Sequence, residues 1–181
     1  MPANDPTGRR FGEAAAAYER GRPPYPDAIV DWLLDSRPGT VVDLGAGTGK
    51  LTRSLVDRVA TVVAVEPDPG MRAALSAALP GTSVIAGTGE DIHLRDGFAD
   101  AVVVGQAWHW VDHVRAAPEV ARVLRPGGRL GLVWNDRREG DPWIDRLNAI
   151  LDSYGTSPDA AYEPVVGPPF GDAVAAHARE L

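Results

Sequence analysis

Of the 181 residues, the stretch Val41-Val42-Asp43-Leu44-Gly45-Ala46-Gly47-Thr48-Gly49-Lys50-Leu51-Thr52 most limits what the chain can fold into. The β-branched run from Thr40 to Leu44 suits a strand buried on both faces. Gly45, Gly47 and Gly49 then permit a tight turn and a close approach of backbone to ligand. Leu51, Leu55, Val56 and Val59 follow at helical spacing, which predicts a helix over 50–59. A helix that opens directly out of a glycine turn offers free N–H groups to polar or anionic ligand atoms.

The alternation continues downstream. Apolar runs predict strands over 61–66, 83–86, 100–105 and 129–134, and periodic segments predict helices over 69–79, 116–124 and 142–153. Helices are also predicted over 11–20 and 27–35, separated by Gly21-Arg22-Pro23-Pro24-Tyr25-Pro26. Buried strands separated by helices require a parallel sheet covered on both faces, and right-handed crossovers make it a doubly wound α/β sheet of about five strands. The organisation is then an N-terminal tail with helices over 1–36, a core over 37–153, and a loop with a short helix over 154–181. Ligands of such sheets sit beyond the carboxyl ends of the strands. The loops after Leu44, Val65, Ala86, Gly105 and Trp134 are therefore the ones to examine.

Composition removes several chemistries. The chain has no cysteine, so disulfides, cysteine-ligated zinc, iron–sulfur clusters and thiolate catalysis are excluded. A net charge of -7 argues against a nucleic-acid partner. His93, His113 and His177 show no metal spacing, and no metal is expected. The run Ala101 to Val104 falls far short of the roughly 18 residues that a membrane span needs. The polar start, Met1 to Gly12, lacks the apolar core of a signal peptide, so the expectation is a cytoplasmic protein with no membrane partner.

Three ligand classes could use the glycine turn. A nucleoside triphosphate loop, G-x-x-x-x-G-K-[ST], fails at Leu44 and Leu51. A dinucleotide fingerprint, G-x-G-x-x-G, is weakened because the third glycine falls at 49 and Lys50 takes its place. Asp43-Leu44-Gly45-Ala46-Gly47-Thr48-Gly49 resembles a third pattern, E/D-x-G-x-G-x-G, the first motif of the class I S-adenosylmethionine-dependent methyltransferases, of the type 11 domain. That resemblance implies a Rossmann-like fold. It also implies that Gly45, Ala46 and Gly47 wrap the methionine end of the cofactor, with Asp43 supporting the loop and the cofactor ammonium. Glu66, at the end of the second strand, stands where the family binds both ribose hydroxyls, followed by Pro67 and then Met71 near the adenine. Gly87-Thr88-Gly89-Glu90-Asp91 resembles the adenine loop, with the contact on the Gly89 backbone and on Glu90 or Asp91; relatives often carry Asp where this chain has Thr88. Val123 to Leu130 resembles the helix-to-strand turn before strand five, in which Gly127 and Gly128 reverse the chain.

Gln106-Ala107-Trp108-His109-Trp110-Val111-Asp112, together with Tyr18, Arg22 and Tyr25, resembles the small-molecule methyltransferases similar to trans-aconitate methyltransferases. In that setting Gln106 meets the methionine end or the acceptor. His109 is a general base for a hydroxyl or amine, or a hydrogen-bonded structural residue. Trp108 and Trp110 form pocket walls, with one of the two in the core. Tyr18, Arg22 and Tyr25 belong to a lid or simply pack the N-terminal helices. The expected reaction is methyl transfer to a small-molecule carboxylate, hydroxyl or amine. The alternatives are a cofactor-binding but inactive or truncated remnant, and a nicotinamide-dependent oxidoreductase. The family usually ends its sheet with an antiparallel hairpin beside strand five. From 154 to 181 only Val165-Val166 has strand character, so the expected sheet lacks that hairpin. A truncated fragment, or a homodimer that covers the strand-five edge, follows from that expectation.

Overall fold

The computed structural model describes residues 24–34, 38–135 and 140–153. The predicted helix over 11–20, with Tyr18 and Arg22, and the segment after Ser153 lie outside the described residues. The contacts divide the chain after Val133. The first unit runs α1 (Asp27–Leu33), β1 (Thr40–Leu44), α2 (Lys50–Val56), β2 (Thr61–Val65), α3 (Pro69–Ala78), β3 (Ser83–Ile85) and β4 (Ala99–Gly105). A 3₁₀ turn (Trp108–Trp110), α4 (His113–Val123) and β5 (Leu124–Val133) complete it. The second unit holds α5 (Pro142–Ser153), which matches its predicted range.

The sheet is parallel throughout, in the order β3-β2-β1-β4-β5. The chain starts in the middle, winds outward through β2 and β3, then returns to the other side of β1. The switch point therefore lies between β1 and β4, where a ligand cleft is expected. Burial explains why these strands read as continuous apolar runs: Val41, Val42, Val102 and Val103 are fully buried. Val30 and Leu33 of α1 and Leu51 and Leu55 of α2 cluster with Val41, Val62, Ala101 and Val103. Leu75 of α3 packs with Ala64 and Ala46.

Several element ends shift by one to three residues from the sequence expectation, α2 closing at Val56 and not at Val59, and two element starts differ for a physical reason. α4 begins at His113, three residues before the predicted start at Ala116, because the Asp112 side chain accepts the Val114 N–H at 3.0 Å and caps the helix. β5 begins at Leu124 and not at Arg129. Ala99 pairs with Leu124 and Ala101 with Arg129, so Arg125-Pro126-Gly127-Gly128 bulges out opposite Asp100. The two glycines bend a strand already begun; they do not reverse the chain ahead of it. Gly127 sits at φ 79°, which suits a residue without a Cβ.

Asp100 holds the amino end of the sheet. Its Oδ2 accepts the N–H groups of Gly39 and Thr40, each at 2.7 Å, and its Oδ1 pairs with Arg125 of the bulge. These N–H donors, and secondly Arg125, hold its carboxyl below the usual carboxylate range. A group with a depressed folded pKa stabilises the fold above its unfolded pKa and loses that contribution as pH falls through the folded one. Asp100→Ala should therefore cost about 1–3 kcal/mol at pH 7 in urea denaturation. The difference from the parent should shrink below about pH 4. A pH-independent difference would show that the carboxylate charge is not what holds the strands.

Candidate functional site

The carboxyl end of β1 delivers Asp43 into the interior. The residue is buried, and its Oδ2 accepts the Thr52 hydroxyl of α2 at 2.6 Å. Its other oxygen, Oδ1, is buried with no hydrogen-bond partner among the described residues. Burial first, and the nearby Glu66 charge second, push the Asp43 carboxyl up to about 7, against the pull of the Thr52 hydroxyl. An orphaned acceptor on a desolvated carboxyl fits a missing cation or strong donor.

The glycine turn follows. Gly45 and Ala46 both donate to the Val65 carbonyl, at 2.8 and 3.1 Å, so the turn continues the β1–β2 register. Gly45 has φ 72°, and a Cβ on it would stand 2.5 Å from the Ala107 Cβ. The turn is thus pressed against the loop after β4. Gly47 has φ 58°, and a Cβ there would meet none of the described residues within 4 Å. One glycine is fixed by protein packing; the other faces open space at the switch point.

Glu66 bridges the first two loops. Its Oε2 accepts the Gly47 N–H and its Oε1 the Asp68 N–H, both at 2.9 Å. It is buried, and burial raises its pKa above the ordinary value despite these two donors. Asp68 caps α3 by accepting the Met71 N–H at 2.8 Å. Arg72 donates to the carbonyls of Glu66 and Pro67, at 2.8 and 2.7 Å. Met71 itself is buried at the start of α3.

Two further loops complete the rim. After β3, Thr88 and Asp91 exchange backbone hydrogen bonds, which places Gly89 and Glu90 at the corners of a turn. Glu90 Oε1 accepts the Asp112 N–H at 2.6 Å, a partner that the sequence did not indicate. After β4, Gln106 adopts φ 61°, the left-handed region that non-glycine residues rarely enter. It is buried, and its N–H donates to the Val133 carbonyl at 2.9 Å. Such strain persists where the surroundings over-determine it, commonly at functional sites.

The 3₁₀ turn separates the two tryptophans. Trp108 is buried and stacks on His113, with ring centroids 5.6 Å apart. His113 Nε2 lies 3.0 Å from the Trp108 carbonyl. Trp110 is exposed and meets the exposed His109, with centroids 4.8 Å apart. Tyr25 is buried, with its hydroxyl 2.5 Å from where a Gly105 Cβ would stand. The absence of that Cβ admits the ring to the carboxyl end of β4.

The structure therefore gathers Asp43, Gly45, Ala46, Gly47 and Glu66 at the switch point, with Ala107 against Gly45 and Tyr25 beside Gly105. Sequence reasoning missed Thr52, Asp68 and Arg72. Asp68-Pro69 carried a readable signal, an acidic cap followed by proline at the first helical position. Among the described residues no group of His, Asp and Glu could hold a metal ion, and no helix is long and apolar enough to cross a membrane.

Residues 42–132 match the methyltransferase domain family. An "Uncharacterized methyltransferase" of Mycobacterium bovis is 60% identical over 141 residues, which cover 78% of this chain and 58% of that protein. This chain thus spans under two thirds of that relative's length. The solved structure of a "Putative Type II Methyltransferase" from Anaeromyxobacter dehalogenans superposes with a TM-score of 0.60 at 28% identity. It covers 79% of this chain and 60% of its own. An S-adenosylmethionine-dependent methyltransferase from Mesorhizobium loti superposes with a TM-score of 0.50 at 27% identity, covering 57% of this chain and 52% of its own.

Proposed function

The chain belongs to the class I S-adenosylmethionine-dependent methyltransferases, and from that premise we propose that it transfers a methyl group to a small-molecule carboxylate, hydroxyl or amine. The observation that carries the reading is the pair of buried carboxylates, Asp43 and Glu66, around a glycine turn whose Gly47 faces open space. S-adenosylmethionine, when bound, supplies a methyl group already activated by a sulfonium. The chain's part is to bind, orient and keep water out. Alignment of reacting groups alone can contribute roughly 7–11 kcal/mol.

In this reading Asp43 Oδ1 receives the cofactor ammonium, for which it has an open acceptor site. Glu66 retains lone pairs on both oxygens after serving Gly47 and Asp68, and these accept the ribose hydroxyls. Gln106, held in its strained conformation, stands at the end of β4 between the glycine turn and the acceptor. Trp110 and His109 face solvent beside it and form the acceptor side. His109 takes the proton from a hydroxyl or amine acceptor; a carboxylate acceptor requires no base. Tyr25 supports the β4 end of the pocket.

S-adenosylhomocysteine at a hundredfold excess over its Kd should stabilise the protein by roughly 2.7 kcal/mol. Glu66→Ala should weaken that binding by roughly ten- to a hundredfold, the loss of about 1.5–3 kcal/mol in charged hydrogen bonds. Isothermal calorimetry reads the change. Parent-like binding by the variant would refute the ribose assignment. No stabilisation of the parent would refute the site.

A further inference from the structure

The turn after β3 is joined to the turn after β4 at two adjacent points. A Cβ on Gly89 would stand 2.7 Å from Val111 Cγ1 and 3.3 Å from the Ala116 Cβ, so the two segments touch backbone to side chain. Beside that contact Glu90 Oε1 accepts the Asp112 N–H at 2.6 Å. Asp112 also caps α4, and its carbonyl accepts from Arg115 and Ala116 at 3.1 and 2.8 Å. The next residue is His113, on which Trp108 stacks. A shift of the Glu90 carboxylate would thus move the start of α4 and the support beneath Trp108.

The far end of α4 grips the same segment. Glu119 Oε1 accepts the Ile92 N–H at 2.7 Å. Arg122 donates to the carbonyls of Ile92 and Leu94, at 3.0 and 2.8 Å, and its own carbonyl accepts from Gly97 at 2.9 Å. The segment from Glu90 to Gly97 is therefore held along the length of α4, with Glu90 as its bond to the helix start. A carboxylate spent on a backbone N–H at 2.6 Å forms a charge-assisted bond, among the stronger kinds.

We propose that Glu90 is a positioning residue that fixes the Trp108–Trp110 turn to the loop after β3, its effect on that turn exceeding any effect on cofactor binding. The inference rests on the cofactor occupying the glycine turn, as read above. Glutamine at 90 keeps an acceptor at the same reach; alanine has none; aspartate keeps the charge but is one methylene too short.

Hydrogen exchange read by mass spectrometry, with calorimetric binding of S-adenosylhomocysteine, tests this. In Glu90→Ala and Glu90→Asp, amides over 107–115 should exchange at least tenfold faster than in the parent, while those over 43–50 stay as they were. Glu90→Gln should restore slow exchange, and all three should bind within about threefold of the parent, below the roughly tenfold change that 1.4 kcal/mol would give. Tenfold weaker binding with unchanged exchange over 107–115 would overturn the proposal and place Glu90 on the cofactor. Unchanged exchange with unchanged binding would overturn it too. A parent that fails to bind S-adenosylhomocysteine would sink the functional reading, while the exchange measurements would still decide the role of Glu90.

Discussion

Replacing Asp43 with asparagine should weaken S-adenosylhomocysteine binding at least a hundredfold while leaving the fold as stable as the parent or more so. The carboxyl is buried, and burial raises its pKa to about 7. In the unfolded chain it titrates near 3.9. Between those values the unfolded chain has lost a proton that the folded chain keeps, so stability falls as pH rises through that window and levels off above it. Asparagine carries no charge to bury and lacks that slope. At pH 8.5 the variant should exceed the parent by an amount of order a few kcal/mol; near pH 4 the two should coincide.

Binding moves the other way. With Asp43 as the proposed partner of the cofactor ammonium, the variant offers an amide in place of an anion. Losing a hydrogen bond to a charged group costs about 1.5–3 kcal/mol, and an amide N–H turned toward a cation adds repulsion. Calorimetry at pH 6 in buffers of different ionisation enthalpy supplies a second readout. The parent should release a proton on binding, because the ammonium favours the ionised Asp43, and the variant should release none from this position. Identical pH slopes of stability for parent and variant would defeat the assignment of a proton to Asp43.

Gly45→Ala should be nearly as severe for binding, through sterics. The left-handed backbone at φ 72° costs an alanine about 1–2 kcal/mol. Its methyl would stand 2.5 Å from the Ala107 Cβ, an overlap that forces the two loops apart at a further cost of about 1–3 kcal/mol. Urea denaturation should show the sum, and cofactor binding should fall at least a hundredfold because the turn no longer follows β2. Gly47→Ala is the internal comparison. It carries a similar backbone cost but meets none of the described residues within 4 Å, so it should fold well and fail only when ligand is added. Equal binding by the Gly45 variant and the parent would show that the turn does not shape the site.

The strand, turn and helix from Thr40 to Val56 were legible because every cue is local: β-branched run, glycine spacing, helical period. The bulge at Arg125 to Gly128 was not, since it exists only relative to β4 and Asp100. The true start of α4 depended on the Asp112 cap, read instead as the end of an aromatic loop. Asp43 and Glu66 could be singled out through the family resemblance, yet the Thr52 hydroxyl that bonds one Asp43 oxygen could not. The sequence allowed only one tryptophan of the pair into the core; the 3₁₀ turn chose Trp108. For Glu90 the partner lies 22 residues away, a pairing set by tertiary packing.

Two desolvated acids make the working end of the sheet a standing source of instability. The staple around Asp100 lies at the opposite end of the sheet from Asp43 and Glu66. Natural chains keep only a small margin above the threshold for function. Part of that margin here resides where selection on substrate cannot see it. Substitutions that retune the acceptor side will be absorbed only while the remote staple is intact, and a chain without Asp100 would reject changes that its parent tolerates. Laboratory evolution toward new acceptors would therefore have more room if it started from a chain whose amino-end staple had first been reinforced.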